Sequence, residues 1–251
     1  LIANRNEIFY RGNDSLPFVR RTSAGGGSDS AKQILLHNNI IIVRTSRAVF
    51  FSTNYGESWL QYMDSLYWAV PTSIAAASNG WMVLGTENGI IRFQVAENGS
   101  VDSATILSHT PARSLACRGS SIYAASHDSL HISDDEGRTW QASPISLQGV
   151  KMILLTETEL FYATENGVCR ALRGTPNLIS NFSFGIPYKN VNQLSIVHGY
   201  LCSSNYGEAY RYNHNTMSWE LFSVGAPVTW YYDAKGTNTK VYLASFKGLF
   251  S

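Results

Sequence analysis

A short strand, a three-residue turn and a second short strand recur at nearly constant intervals along this chain of 251 residues. The residues that precede the turns are separated by 41, 41, 40, 38, 40 and 41 positions. They are Asn4, Thr45, Thr86, Ser126, Thr164, Ser204 and Ser245. A fixed period of this size, filled with β-rich runs and turns containing Gly or Asn, predicts a repeated sheet unit.

Each period has room for four strands, because an apolar run precedes the hairpin and a further strand follows it. The second repeat predicts strands at 33–37, 40–45, 49–52 and 59–63, and the third at 73–77, 81–86, 90–95 and 103–107. Antiparallel four-stranded sheets at this period are typical of the blades of a β-propeller. We therefore predict an all-β propeller, with a solenoid as the alternative.

The predicted number of blades is seven, because five complete periods are flanked by an opening hairpin and a final one. On that count the first blade lacks its innermost strand and the last blade lacks its outermost. Six blades with an irregular closure are the alternative. We expect a single domain over residues 1–251, cut from a longer protein, because the chain starts at Leu1 and both ends fall inside a repeat.

Composition excludes several classes of function. The hydrophobic share of 44% is enough for a core, and 19 basic against 18 acidic residues give a net charge of +1. Such a balance provides no overall field for nucleic acid, and no run approaches the roughly 18 apolar residues that span a membrane. Cys117, Cys169 and Cys202 lie in different repeats without CxxC spacing, so we expect free core thiols and no cofactor.

One sequence pattern is specific. Residues 133–140 read Ser-Asp-Asp-Glu-Gly-Arg-Thr-Trp, residues 52–59 repeat the pattern with Asn for Asp and Ser for Thr, and 212–219 form a degenerate third copy. The carboxylate or amide can accept hydrogen bonds from turn amides, and the glycine takes a conformation that bulky residues avoid. We assign a turn-stabilising role to Ser52, Asn54, Gly56, Trp59, Ser133, Asp135, Gly137, Thr139 and Trp140.

This pattern resembles the Asp-box, or BNR repeat. The resemblance extends, at the level of repeats, over nearly the whole chain, and it includes sialidases, sortilin-type receptors and proteins similar to the photosystem II stability and assembly factor. It implies a propeller in which the boxes link the third and fourth strands, away from the face where ligands bind. Because these families have different activities, the resemblance indicates a fold more than a function.

Enzymatic activity finds little support in the residues. The Arg-Ile-Pro signature of sialidases is missing, since Ile186-Pro187 follows Gly185. Glu157 and Glu159 fit a solvated turn better than a catalytic pair, and His127, Asp128 and His131 straddle a hairpin without a third metal ligand. We predict that the protein is not an enzyme and holds no metal, with glycoside hydrolysis as the enzymatic alternative.

The predicted binding site is an aromatic set on the loops that lead into the first strand of a blade. Large rings supply contact area at low entropic cost and can anchor peptides or stack on sugars. Packing into the inner strands is the structural alternative. The site consists of Tyr67, Trp68, Tyr188, Lys189, Trp230 and Tyr231, with Arg47 and Arg113 as additional polar contacts.

Three functions remain. The first is a non-enzymatic scaffold that recognises another protein through its loop face. The second is a glycan-binding or sialidase-like propeller, and the third is a structural subunit of a larger surface or virion assembly. No targeting segment fixes the compartment; a secreted, periplasmic or surface location is favoured over others.

Overall fold

The computed structural model describes residues 2–4, 7–10, 19–21, 31–62, 70–77, 80–126, 129–143, 149–187, 189–205, 207–222, 231–236, 241–245 and 248–250. For the segments before residue 31 and after residue 222 it describes the backbone alone.

Five sheets have four strands, and in each of them the strands follow one another in chain order. The first three are β4 (Gln33–His37), β5 (Ile40–Arg44), β6 (Val49–Ser52), β7 (Leu60–Tyr62); β8 (Pro71–Ala76), β9 (Trp81–Thr86), β10 (Ile90–Val95), β11 (Val101–Ser108); and β12 (Ser114–Arg118), β13 (Ser121–Ala125), β14 (Leu130–Ser133), β15 (Gln141–Ser143). The other two are β16 (Val150–Leu155), β17 (Glu159–Thr164), β18 (Gly167–Leu172), β19 (Thr175–Asn181); and β20 (Val191–Val197), β21 (Tyr200–Asn205), β22 (Ala209–Asn213), β23 (Ser218–Leu221).

The two remaining sheets have three strands each: β1 (Ile2–Asn4), β2 (Glu7–Tyr10), β3 (Val19–Arg21); and β24 (Tyr231–Gly236), β25 (Val241–Ser245), β26 (Gly248–Phe250). The prediction of seven four-stranded blades, and its six-bladed alternative, is therefore wrong, since the described residues form five. A hairpin marks only two strands, so counting hairpins overestimates the number of complete blades. The antiparallel four-stranded blade itself is confirmed.

Burial explains why the second strand of a blade is the most apolar. In β9 and β17 every residue after the first is buried, whereas in β7 and β19 the residues are exposed or half-buried. A middle strand has neighbours on both edges and packed side chains on both faces, so a nearly continuous apolar run is stable there. The outer strand has one free edge and faces solvent.

The chain divides into two compact units. The first comprises residues 1–126 and 131–141, and the second comprises residues 127–130 and 142–251. In the first unit, Phe51 and Phe93 belong to a core between the blade of β4–β7 and that of β8–β11. In the second, Phe161 and Trp219 belong to a core between the blade of β16–β19 and that of β20–β23. The expectation of one domain over 1–251 stays a prediction.

Candidate functional site

The turns that join the second and third strands of a blade, and the residues that enter its first strand, lie at one edge of the blade. We call this the loop edge. Among the described residues its turns are 45–48, 86–89 and 164–167, together with the one flanked by Asn205 and Glu208. The sequence predicted that Ser204 would precede the last turn, as Thr45 and Thr86 precede theirs. In the structure Asn205 takes this place, because its N–H donates to Glu208 O across the turn.

Buried threonine hydroxyls fasten these turns. Thr86 Oγ1 donates to Gly89 O at 3.0 Å and accepts from Gly89 N at 3.0 Å. Thr45 makes the same pair of bonds with Ala48, and Thr164 Oγ1 donates to Gly167 O at 2.9 Å. A hydroxyl that bonds both groups of the turn fixes the backbone locally. The loop edge therefore presents its exposed side chains from a rigid backbone.

Side chains on the first strand of one blade bond the backbone of the first strand of the next. Gln33 donates to Ile74 O at 2.7 Å and accepts from Ile74 N at 3.1 Å. Ser73 Oγ accepts from Leu115 N at 3.0 Å, again in the first unit, and Met152 Sδ accepts from Leu194 N at 3.3 Å in the second. We call Gln33, Ser73 and Met152 tether residues. They hold neighbouring first strands in register at the loop edge.

Three of the first strands have a β-bulge near their start, which changes the direction of one side chain. The pairing registers of β8, β16 and β20 each skip one residue, at Thr72, Lys151 and Asn192. Lys151 Nζ donates to Asn192 Oδ1 at 2.9 Å and also to Asn190 Oδ1. Bulges of this kind are common where a side chain has to be redirected at a functional edge. The second unit thus carries a cluster of three polar side chains, one lysine and two asparagines, at its loop edge.

Arg44 is the most unusual group at the loop edge of the first unit. Its Nε donates to Gln33 Oε1 at 3.3 Å, and its Nη1 donates to Pro71 O at 3.0 Å and Thr45 O at 3.5 Å. All three acceptors are neutral. Burial lowers the pKa of the guanidinium to about 10 because the charged form loses solvation. Arg44 is not among the site residues predicted from the sequence.

The aromatic residues of the predicted site, Tyr67, Trp68, Tyr188 and Trp230, lie outside the described residues. Tyr231 begins β24, and only its backbone is described. Lys189 is exposed, and its carbonyl accepts from Val191 N at 2.9 Å at the entry to β20. Arg47 and Arg113 are exposed at the loop edge of the first unit. The predicted site residues therefore stay a prediction.

The turns 52–59 and 133–140 have the same hydrogen bonds at the opposite edge of their blades. Ser133 Oγ accepts from Gly137 N at 2.7 Å and donates to Asp135 Oδ1 at 2.8 Å, while Asp135 Oδ1 accepts from Thr139 N at 2.8 Å. Ser52, Asn54, Gly56 and Ser58 make the equivalent bonds at 2.8, 3.0 and 2.9 Å. Both glycines have a positive φ, 84° in Gly137 and 86° in Gly56.

The two tryptophans that follow these turns are half-buried and pack against blade cores. Trp140 donates its indole N–H to Gly137 O at 3.1 Å, and it lies against the cluster that contains Val83 and Leu115. Trp59 lies against the cluster of Ile41, Val43 and Phe50. The degenerate copy at 212–219 differs: Asn213 Oδ1 accepts from Asn215 N, and Trp219 is buried with its indole N–H on Phe182 O at 2.6 Å.

The described residues offer few reactive groups. Burial raises the pKa of Cys117 to about 12 and that of Cys202 to about 11, so neither thiol is a nucleophile at neutral pH. Nowhere in the described part of the chain do three or more His, Cys, Asp or Glu side chains gather as metal ligands. Among the same residues, no helix is long and apolar enough to cross a membrane.

No protein-family model and no curated protein matches the chain. Solved structures do. The inactive H270A virginiamycin B lyase from Staphylococcus aureus with quinupristin has a TM-score of 0.75 at 11% identity, covering 98% of this chain and 86% of the lyase. YCF48 bound to D1 peptide has a TM-score of 0.70 at 14% identity, covering 96% and 83%.

The extracellular domain of BT4673 from B. thetaiotaomicron has a TM-score of 0.68 at 15% identity, covering 90% of this chain and 32% of that one. The chain thus spans about a third of the length of the BT4673 domain. An enzyme and a peptide-binding protein both stand among these structures, so the likeness does not separate catalysis from binding. At these identities it shows the fold, and that fold is the β-propeller.

Proposed function

We propose that the protein is a non-enzymatic β-propeller that recognises another protein through its loop edges. The observation that carries this proposal is the contrast between a fixed backbone and free side chains. Thr45 and Thr86 fasten the turns of the first unit, while the side chains of Arg47 and Arg113 make no hydrogen bond or ion pair with any described residue. A rigid surface that presents unengaged long side chains can bind with little ordering of its backbone.

The loop edge of the second unit offers the same contrast. Lys189 is exposed and its ammonium group has no partner among the described residues, whereas Thr164 closes the turn beside it. We further propose that Tyr67, Trp68, Tyr188, Trp230 and Tyr231 supply the aromatic anchors of this recognition. Aromatic rings and arginine are the residue types that carry most binding energy at protein interfaces.

Two features of the solved structures agree with this role. YCF48 was solved with a bound D1 peptide, and the BT4673 domain is extracellular. We propose by analogy a secreted or surface location for this protein and a protein partner. The turns 52–59 and 133–140 are proposed as Asp-boxes, whose hydrogen bonds stabilise the opposite edge and leave the loop edge for binding.

The test is affinity purification of the full-length protein from its native source, followed by mass spectrometry and by an affinity measurement with the purified partner. Replacing Arg47 and Arg113 together by alanine should weaken that affinity by about tenfold or more, as expected when interface contacts worth about 1.4 kcal/mol are lost. Trp230→Ala should do the same.

Arg138→Ala is the matched control, because Arg138 is an exposed arginine in the turn 133–140 at the opposite edge. It should leave the affinity unchanged. A glycan array probed with the same preparation gives the competing outcome: a specific sugar signal without a stoichiometric protein partner overturns the proposal in favour of glycan recognition.

A further inference from the structure

Arg44 occupies a position that the other described blades give to a small residue. In each blade the tether position on the first strand pairs with one residue of the second strand. Ser73 pairs with Gly85, Met152 with Ala163, and Gln33 with Arg44. In the other two blades the second-strand residues are Ala125 and Ser204. The reason for the small residues is visible at Gly85, where an added Cβ would lie 2.9 Å from Ala112 O.

The hydrogen bonds of Arg44 do not balance its charge. The guanidinium is half-buried and loses solvation, and no described carboxylate lies within 4.0 Å of it; the described ion pairs are Arg92 with Glu136 and Arg170 with Glu159. A partly desolvated cation without a counter-charge is unfavourable for folding. Departures from a repeat that carry such a cost are expected at functional positions.

The hydrogen bonds leave one side of the guanidinium available. Nε and Nη1 are engaged by Gln33, Thr45 and Pro71, and these acceptors orient the plane of the group. The two N–H groups of Nη2 have no acceptor among the described residues. Nη2 is also not fully buried, so these donors are accessible. An oriented guanidinium with accessible donors is suited to a planar anion.

We propose that Arg44 is the centre of a binding site for a carboxylate group at the loop edge of the first unit. Lys32 and Arg47 adjoin it: the Lys32 N–H donates to Arg44 O at 2.8 Å, and the Arg47 N–H donates to Thr45 Oγ1 at 3.3 Å. Both side chains are exposed and make no ion pair with a described residue. Among the described residues Glu87 is an acidic side chain on this edge, and its N–H donates to Val70 O at 3.3 Å.

The carboxylate can come from a small organic acid or from an acidic side chain of a protein. The experiment measures the melting temperature of the full chain at pH 7.5 in increasing sodium acetate, in sodium chloride of equal ionic strength, and with a tetraglutamate peptide. Saturating carboxylate at about ten times its dissociation constant should raise the melting temperature by about 2–5 °C above the chloride value. A saturable rise with acetate identifies a small acid as sufficient; a rise with peptide alone identifies protein side chains.

Arg44→Ala should abolish the carboxylate-dependent rise, measured against the variant's own melting temperature in chloride, because Gln33, Thr45 and Pro71 lose a donor and the chloride value itself changes. Arg44→Lys keeps the charge but not the planar donors and should show a smaller rise. Arg138→Ala should keep it in full. Equal melting temperatures of the wild type in acetate, peptide and chloride overturn the proposal, as does an unchanged rise in Arg44→Ala.

Discussion

At the scale of single residues, Asp135 shows how a turn can depend on ionisation. Hydrogen bonds from the Thr139 hydroxyl and N–H, and then from the Ser133 hydroxyl, lower the pKa of its carboxyl group from 3.8 to about 2. A group whose pKa is lower in the folded state stabilises that state above its unfolded pKa. This contribution is therefore complete above about pH 4 and disappears as the pH falls towards 2.

Asp135→Asn should flatten the acid limb of the stability curve. An amide can still accept the Thr139 N–H and can bond its hydroxyl, as Asn54 does with the Ser58 N–H and hydroxyl at 2.9 Å. The variant should melt close to the wild type at pH 7 and lose less stability than the wild type between pH 4 and pH 2. Thermal melts at pH 7, 4 and 2.5 check this.

Asp102→Asn is the control for that series, because Asp102 is an exposed carboxylate of β11. It should keep the wild-type dependence on pH. An Asp135→Asn variant whose melting temperature falls with acid as steeply as that of the wild type would remove the proposed link between ionisation and the turn.

Residue identity is predictable where a local rule decides it. Gly137 and Gly56 follow from the positive φ that their turns require. Arg44 could not be selected in the same way, since its role depends on Gln33, which strand pairing places opposite it, and on Pro71 of the next blade. Comparing Arg44 with Gly85, Ala125 and Ala163 in the sequence would have marked it.

At the scale of elements, the loop after β19 is fastened to the outer strand of the next blade. Phe184 O accepts from Trp219 N at 2.8 Å, and Gly185, the residue after Phe184, has a φ of 96°. A Cβ on Gly185 would lie 2.4 Å from Trp219 O, a backbone atom. The loop thus covers part of the free edge of β23, where an unpaired backbone would otherwise be exposed.

Gly185→Ala should destabilise the protein more than Gly199→Ala does. Gly199 also has a positive φ, 79°, but its Cβ would meet nothing within 4 Å. Both variants carry the strain of a left-handed alanine, about 1 kcal/mol, and only Gly185→Ala adds the collision with β23, for a further 1–3 kcal/mol. Denaturant unfolding of both variants gives the comparison, and equal losses would contradict the edge contact.

The tether residues make a second prediction about elements. Gln33→Leu removes both hydrogen bonds to Ile74 and leaves the Ile74 N–H and C=O without their partner. The free energy of unfolding should fall by about 1–3 kcal/mol. Gln61→Leu, in the exposed strand β7, should change the free energy of unfolding by about 0.5 kcal/mol or less. Chemical denaturation measures both, and equal effects would mean that the tether contributes no stability.

Strand positions could be predicted closely from the sequence. The expected strands 33–37, 49–52, 81–86 and 90–95 agree with β4, β6, β9 and β10. The other four, 40–45, 59–63, 73–77 and 103–107, differ from β5, β7, β8 and β11 by one or two residues at their ends. Alternation and turn residues determine these elements locally. Blade number could not be predicted from the same signals, because a three-stranded and a four-stranded sheet contain the same hairpin, and the outer strands are short and polar.

At the scale of the whole molecule, a net charge of +1 conceals a local excess of cations. The described loop edge of the first unit carries Lys32, Arg44, Arg47 and Arg113 against Glu87. Exposed charges act over about 8–10 Å at physiological salt, so a partner senses this edge rather than the sum over the chain. Association through Arg47 and Arg113 should therefore slow as salt rises.

The repeated burial of second strands predicts a periodic pattern of hydrogen exchange over the five blades. Amides of β5, β9, β13, β17 and β21 are flanked by strands on both sides and by apolar side chains, whereas β7, β15 and β19 have exposed residues. Local opening needs less free energy where few apolar contacts are broken. Exchange followed by mass spectrometry should show protection maxima at these second strands, one in each blade and about forty residues apart. Protection that instead declines smoothly along the chain would mean that stability is set by position in the chain and not by position in the blade.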